Sequence, residues 1–330
     1  MRSLCFIATF LMIGTGFSQT SDNRPGGCTG CFSEPKSMLL FSGENGDLNL
    51  VTPSGTLTVP HLPNWAGQEA TPLQAISPSG DRVAWRLRLM LNADLVKCDP
   101  SNKRWCDPQP RPIFKSVMGV YSVRDKSWKQ YGDFCEVGSA VFSPDGNKIA
   151  FFAEQKCTVA SRDDGLMILD LQTGEMAPVP CSGYKSIFWM SQLSWSPDGK
   201  FLAASGAYGQ GGIFVIDLAS GEIKTIAEGH DPSWSPKGDW IAYALTVECM
   251  IVHPDGTGAR SVLEKEPKWM NDTLDKPIIW SPDGEKLLLN QRQIEGYRNR
   301  VIMVDVASGH AIRISKNGEY VLGWVPYSDK

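Results

Sequence analysis

The chain has 330 residues, 42% of them hydrophobic and 21% charged, with a formal charge of −4. That is the make-up of a globular protein with a packed core, and 32 glycines and 22 prolines fit a turn-rich, all-β chain better than a helical one. A mildly acidic protein has no bulk attraction for nucleic acid, so no nucleic-acid partner is expected.

The N-terminus reads as an export signal. Met1-Arg2 is followed by an apolar run, Leu4 to Ile13 (LCFIATFLMI), and Gly16 and Ser18 stand at the −3 and −1 spacing of a cut before Gln19. Residues 1–18 are therefore expected to be a cleaved signal peptide, too short for a bilayer span of roughly 20 residues. No later stretch approaches that length, so no membrane span is expected, and the protein is placed in the periplasm or outside the cell. Loss of Arg2, the one charge in this segment, takes the net charge from −4 to −5. Residues 19–37 form a Cys/Gly-rich segment with Cys28-Thr29-Gly30-Cys31. A redox pair needs a setting that lowers one thiol pKa; here the pair precedes any strand, so a structural disulfide, local or to another cysteine, is expected.

Three strands come next, within "MLLFSG", "DLNLVT" and "TLTVP" (Met38 to Pro60). One phrase then occurs five times. It reads "QAISPSGDRVAW" from Gln74, "AVFSPDGNKIAF" from Ala140, "LSWSPDGKFLAA" from Leu193, "PSWSPKGDWIAY" from Pro232 and "IIWSPDGEKLLL" from Ile278. Pro fixes φ for the second position of a type I turn, and Gly accepts the left-handed residue that closes it. Ser and Asp oxygens can hold nearby backbone N–H groups. Each phrase thus predicts an antiparallel hairpin joined through a bulge, with Ile76, Phe142, Trp195, Trp234 or Trp280 ending the incoming strand on its buried face.

A second hairpin follows each phrase. "LMILDLQTGEMAPV", "IFVIDLASGEIKTI" and "VIMVDVASGHAIRI" share a strand ending in Asp170, Asp217 or Asp305, then a turn, then another strand. "GVYSVRDKSWKQYG" and "MIVHPDGTGARSVL" fill the same slot more loosely. Two hairpins make a four-stranded sheet of about 40 residues, whose two apolar faces are buried only when copies stack. Five repeats run from about Leu73 to Ser315, and a lone strand, "YVLGWVP" (Tyr320 to Pro326), follows. Joined to the three N-terminal strands it completes a sixth sheet. The predicted fold is an all-β, six-bladed β-propeller over 38–327, its sixth blade built from three N-terminal strands and one C-terminal strand, with a tail at 328–330.

The repeated "WSPDGKFLAA…IFVIDLASGEIKTIA" pattern resembles the TolB-type (PD40, WD40-like) repeat, also found in the propellers of the prolyl oligopeptidase and dipeptidyl peptidase IV families. The resemblance covers about Met38 to Pro326 and implies the fold far more strongly than any activity. TolB carries an α/β domain ahead of its propeller; with only residues 19–37 between the expected cut and the first strand, no such domain is expected here. The peptidases use a Gly-x-Ser-x-Gly elbow, and this pentapeptide does not occur here.

No catalytic, metal or cofactor constellation is read from the chain. His61, His230, His253 and His310 are far apart in sequence. Oligogalacturonate lyases share this repeat type and hold a metal through histidines, but no matching positions are identified. The repeated Asp residues serve turns, and "SRDDGLM" (Ser161 to Met167) reads as a tight turn because it lacks the alternating acids of a calcium loop. Cys98, Cys106, Cys135, Cys157, Cys181 and Cys249 are expected together on one rim, with Cys98–Cys106 the nearest pair and Cys157 within reach of Cys135 or Cys181.

The insertion Asn92 to Lys115 presents Lys103, Arg104, Trp105 and Arg111, residue types that anchor interfaces. The functional expectation is an exported, non-enzymatic propeller that binds a protein or peptide through its loop-rich face and central channel. The alternative is a carbohydrate-active propeller, a polysaccharide lyase or a glycan-binding protein.

Overall fold

The computed structural model describes residues 37–42, 48–52, 55–58, 68–70, 75–90, 114–122, 125–154, 164–180, 192–206, 211–263, 273–292, 299–314 and 320–326. These residues form strands and turns, with no helix among them. In chain order β1 (Ser37–Ser42), β2 (Leu48–Thr52) and β3 (Gly55–Thr58) open the chain. The first repeat holds β4 (Gln68–Ala70), β5 (Ala75–Ile76), β6 (Arg82–Met90), β7 (Phe114–Ser122) and β8 (Ser127–Phe134). The second holds β9 (Glu136–Phe142), β10 (Lys148–Glu154), β11 (Asp164–Asp170) and β12 (Met176–Pro178), and the third β13 (Leu193–Trp195), β14 (Phe201–Ser205), β15 (Ile213–Asp217) and β16 (Ile223–Ala227). β17 (His230–Trp234), β18 (Ile241–Leu245), β19 (Glu248–Val252) and β20 (Arg260–Ser261) form the fourth. The fifth comprises β21 (Thr273–Trp280), β22 (Lys286–Arg292), β23 (Asn299–Asp305) and β24 (Ala311–Arg313), and β25 (Tyr320–Pro326) ends the chain.

Each repeat is one antiparallel sheet with its strands in sequence order, and β25 pairs with β1 in a terminal sheet ordered β25-β1-β2-β3. In the first sheet β4 and β5 both pair with β6, so the single incoming strand expected there is split in two. Asp164 to Met167, expected in a turn, belong to β11.

The Ser-Pro-x-Gly hairpins follow the physics their residues impose. In the second repeat the Gly146 N–H donates to Ser143 O (2.8 Å) and the Ser143 N–H to Lys148 O (2.9 Å), with Gly146 at φ 71°. Ser143 Oγ donates to Asp145 Oδ1 (2.5 Å) and accepts from the Lys148 N–H (2.9 Å). Ser281 does the same with Asp283 and Lys286, and Ser196 with Asp198 and Phe201. Two turns lack an Asp at that position, and each recovers the carboxylate two residues later. Ser77 Oγ donates to Asp81 (3.0 Å) and Ser235 Oγ to Asp239 (2.8 Å). A buried hydroxyl without an acceptor is costly, which explains why the acid moves rather than disappears.

Strand interiors are apolar on both faces, and alternate residues serve alternate neighbours. On β10, Ile149, Phe151 and Ala153 pack with the first sheet, while Ala150 and Phe152 pack with the third. On β22, Leu287 and Leu289 face the fourth sheet and Leu288 faces Val321 of β25. The core is therefore a series of layers between consecutive sheets. Indole nitrogens cross two of these layers: Trp195 Nε1 donates to Val141 O (3.3 Å) and Trp280 Nε1 to Ser233 O (2.9 Å).

The innermost strands touch in sequence, β5 with β9, then β13, β17, β21 and β25. Register shifts between His230 and Ser233 and between Asp275 and Ile278 bracket Pro232 and Pro277, which have no N–H to give the ladder. At the two ends of this series, a Cβ placed on Gly323 of β25 would lie 3.4 Å from Ile76 Cδ1 of β5.

Candidate functional site

Strand order divides the molecule into two ends. The Ser-Pro-x-Gly turns and the turns of the second hairpins share one end; the links between second and third strands, and those from sheet to sheet, share the other. Lys103, Arg104, Trp105 and Arg111 lie outside the described residues, as do Cys28, Cys31, Cys98, Cys106, Cys157 and Cys181 and the expected signal peptide.

Of the two described cysteines, Cys135 is disulfide-bonded and links β8 directly to β9. Cys249 is not a rim residue. It is the second residue of β19, opposite Ala244, fully buried and a free thiol, and burial pushes its pKa up to about 12. The turn is only Thr246-Val247, so Cys249 belongs to the strand, and strand alternation sends it into the layer between the fourth and fifth sheets.

The described part of the loop-rich end holds a constrained corner. Asp231 has φ 55° and Thr246 φ 58°, both rare for residues with a Cβ. His230 Nδ1 lies 3.0 Å from Asp231 Oδ2, and the Asp231 N–H donates to Ser205 Oγ (3.4 Å). Leu245 beside them is an exposed large apolar side chain, 37% accessible. On the same end Arg86 pairs with Glu136 and donates to Val137 O (3.1 Å), and buried Arg300 donates to Gln291 Oε1 (3.1 Å). Among the described residues no group of three or more His, Cys, Asp or Glu side chains is arranged to hold a metal ion. Nor is any helix there long and apolar enough to cross a membrane.

The turn end carries a repeated set of hydrogen-bonded Asp side chains. Asp170 Oδ1 accepts from the Gln172 and Thr173 N–H groups, Asp217 Oδ1 from Ala219 and Ser220, and Asp305 Oδ1 from Ser308. These backbone donors hold the three carboxyls below the ordinary Asp range. Asp145 and Asp198 are held low chiefly by Ser143 and Ser196. At Asp283 burial pushes upward, but the Ser281 hydroxyl and Glu285 N–H outweigh it.

A cleft of about 560 Å³ opens on this end between the third and fourth sheets. Phe201, Val215, Trp234 and Pro254 form apolar wall, with Asp217 and Glu222 among the charged residues lining it. The Phe201 and Trp234 rings stack with centroids 6.3 Å apart and an interplanar angle of 24°. This cleft was not foreseen from the motifs. Its signal lies in the differences between repeats, because Phe201, Asp217 and Lys224 occupy positions that hold Trp240, His253 and Arg260 one repeat later.

No protein-family model matches the chain, and no curated protein does. Solved structures match. TolB from Acinetobacter baumannii aligns at TM-score 0.57 and 15% identity, over 88% of this chain and 66% of that one. The chain has a TolB-type β-propeller fold. A chain of the nidogen/laminin complex aligns at TM-score 0.53 and 10% identity, over 88% of this chain and 97% of the other. A puromycin-hydrolyzing peptidase of Mycobacterium tuberculosis aligns at TM-score 0.54 and 13% identity, over 83% of this chain and 42% of the peptidase. This TolB-type chain thus spans just under two thirds of that TolB and less than half of the peptidase. At these identities the likeness is one of fold.

Proposed function

We propose that this protein is an exported, non-enzymatic, six-bladed propeller that binds a protein or peptide partner through its loop-rich end and central channel. One observation carries the reading: the two ends of the fold are built to different rules. At the turn end every repeat reuses one Ser-Pro-x-Gly template. At the other end the link between second and third strands ranges from Thr246-Val247 to residues 91–113. A uniform scaffold with one variable end is the arrangement by which loops acquire binding surfaces. The nidogen/laminin neighbour supports it as a propeller found in a complex between proteins.

Closure into six blades is supported by the β25–β1 pairing, by the proximity of Gly323 to Ile76, and by the side chain of Asn290 on β22, which is bonded to the backbone of β25. Export to the periplasm or beyond is supported by residues 1–18 and the bonded state of Cys135. Interface anchors at Lys103, Arg104, Trp105 and Arg111 are supported by residue type.

The test is affinity capture from the protein's own extracytoplasmic extract, comparing the parent with a folded Lys103→Ala, Arg104→Ala, Trp105→Ala variant. A discrete protein retained by the parent and lost by the variant is the expected result. Capture of no protein, followed by saturable binding on a glycan array or metal-dependent cleavage of a uronic-acid polymer, would replace this reading with the carbohydrate-active one.

A further inference from the structure

The cleft between the third and fourth sheets is best understood from the neighbouring junction, where the same positions are filled. The Ser196 N–H donates to Phe201 O as the Ser235 N–H donates to Trp240 O, which makes Phe201 and Trp240 equivalent. Val215 pairs with Lys224 as Ile251 pairs with Arg260, and Asp217 follows Ile216 as His253 follows Val252.

In the fourth sheet these three side chains pack on one another as a plug. The His253 and Trp240 rings stack at 3.7 Å between centroids, and the Arg260 guanidinium carbon lies 5.6 Å from the Trp240 centroid. Arg260 Nη2 then donates to Val306 O of the fifth sheet (3.2 Å). In the third sheet the plug is absent. Phe201 stacks on Trp234 of the next sheet, an Asp stands in place of the His, and Lys224 reaches past to donate to Asp255 O (2.8 Å).

We propose that this cleft is a docking pocket for an arginine side chain, with an adjoining apolar residue, presented by a peptide segment of a partner protein. The guanidinium takes the place over Phe201 that Arg260 takes over Trp240, and meets Asp217. Asp217 Oδ1 is committed to the Ala219 and Ser220 N–H groups, which leaves Oδ2 for the ligand. Glu222 adds a second negative charge on the same wall.

Lys224 and Lys237 also line the cleft, but Asp198 and Asp255 join Asp217 and Glu222 there, so four carboxylates face two ammonium groups and the lining stays negative. Lys224 is tied to the Asp255 carbonyl, and the stem of Lys237 runs beside Gly284, toward Asp283. Arginine fits better than lysine because a planar guanidinium both stacks on a ring and offers paired donors to a carboxylate. At about 560 Å³ the cleft is larger than one side chain requires, and its apolar walls supply the site for the neighbouring residue.

The experiment is calorimetric titration of the folded full chain with a terminally blocked Leu-Arg-Leu peptide and its citrulline counterpart, at low and high salt. Saturable binding with Kd on the order of 1 mM or tighter is expected, at least about tenfold weaker for citrulline and weaker at high salt. Asp217→Asn with Glu222→Gln keeps the turn bonds and should weaken binding about tenfold. Phe201→Trp, Asp217→His, Lys224→Arg copies the plug of the fourth sheet and should abolish it, with the thermal melt retained. Lys103→Ala, Arg104→Ala, Trp105→Ala should leave it unchanged. Equal binding of the arginine and citrulline peptides, or no saturation by the parent below about 10 mM, would overturn the proposal. So would unaltered binding by the doubly neutralised variant, or loss of binding in the loop variant.

Discussion

Asn290 and Val321 exchange two hydrogen bonds across consecutive sheets. Asn290 Nδ2 donates to Val321 O (2.8 Å), and the Val321 N–H donates to Asn290 Oδ1 (2.9 Å). The amide therefore reads the backbone of the C-terminal strand as a neighbouring strand would, and its second N–H reaches Pro277 O (3.1 Å). Asn290 is 1% exposed and Val321 fully buried, so water cannot replace either bond. A side chain on β22 thus fixes where β25 lies.

Asn290→Leu is expected to leave the Val321 N–H and C=O without partners, at about 2–4 kcal/mol of stability. Urea unfolding of parent and variant measures it, and a loss below about 0.5 kcal/mol, the level of an ordinary surface change, would show that β25 is held by its pairing with β1 alone.

The shifted carboxylates of the first and fourth repeats make a second prediction. Asp239→Ala should cost on the order of 1 kcal/mol, because it removes the acceptor of the buried Ser235 hydroxyl. Lys237→Asp, which restores the common sequence, should rescue Asp239→Ala by placing an acceptor two residues after Ser235. Failure of rescue would mean that Asp239 acts through some contact other than Ser235.

Much of this was legible in the sequence because the turns are local. Ser143, Pro144, Asp145 and Gly146 determine their own geometry, so hairpins, strand ends and sheet order could be read from the repeated phrase. Cys249 was misplaced because a rim assignment by strand count ignores which way a residue faces, and here one residue decides between solvent and core. The cleft was missed because it depends on what two sheets do not fill. Phe201 and Trp240 look alike in the pattern, yet one ring leans on Trp234 and the other is capped by His253.

Stability should fall steeply in acid. Asp81, Asp145, Asp170, Asp198, Asp217, Asp255, Asp283 and Asp305 are all held below the ordinary value of 3.8 in the folded chain. A carboxyl with a depressed folded pKa releases protons more readily when folded, so its contribution is complete above the unfolded value and is lost as pH falls through the folded one. Urea midpoints should be flat from neutrality to about pH 5 and then drop continuously to below pH 3.8. Asp145→Asn with Asp198→Asn should flatten that limb; an unchanged slope would assign it to other groups.

Cys249 should be silent to alkylating reagents in the native protein, because its thiol is buried and its pKa is pushed up to about 12. Peptide mass mapping after iodoacetamide treatment at pH 8, with and without denaturant, separates the cases. Labelling only in denaturant is expected, whereas rapid native labelling would mean that the layer between the fourth and fifth sheets opens at ambient temperature.

Three glycines separate backbone strain from steric exclusion. Gly165 has nothing within 4 Å of where a Cβ would stand and no positive φ, so Gly165→Ala should be close to neutral. Gly199 has the same open space at φ 74°, so Gly199→Ala carries the left-handed penalty alone, about 1 kcal/mol. Gly221 combines φ 73° with a Cβ position 2.0 Å from Pro180 O, a backbone atom in the link that leads toward the third sheet. Gly221→Ala must move that link as well as adopt the strained φ, and should cost more than about 3 kcal/mol. Thermal melts of the three variants should rank in this order. Equal losses at Gly199 and Gly221 would show that the Pro180 segment shifts freely, and that the turn end is held by each hairpin separately rather than by contact between neighbouring sheets.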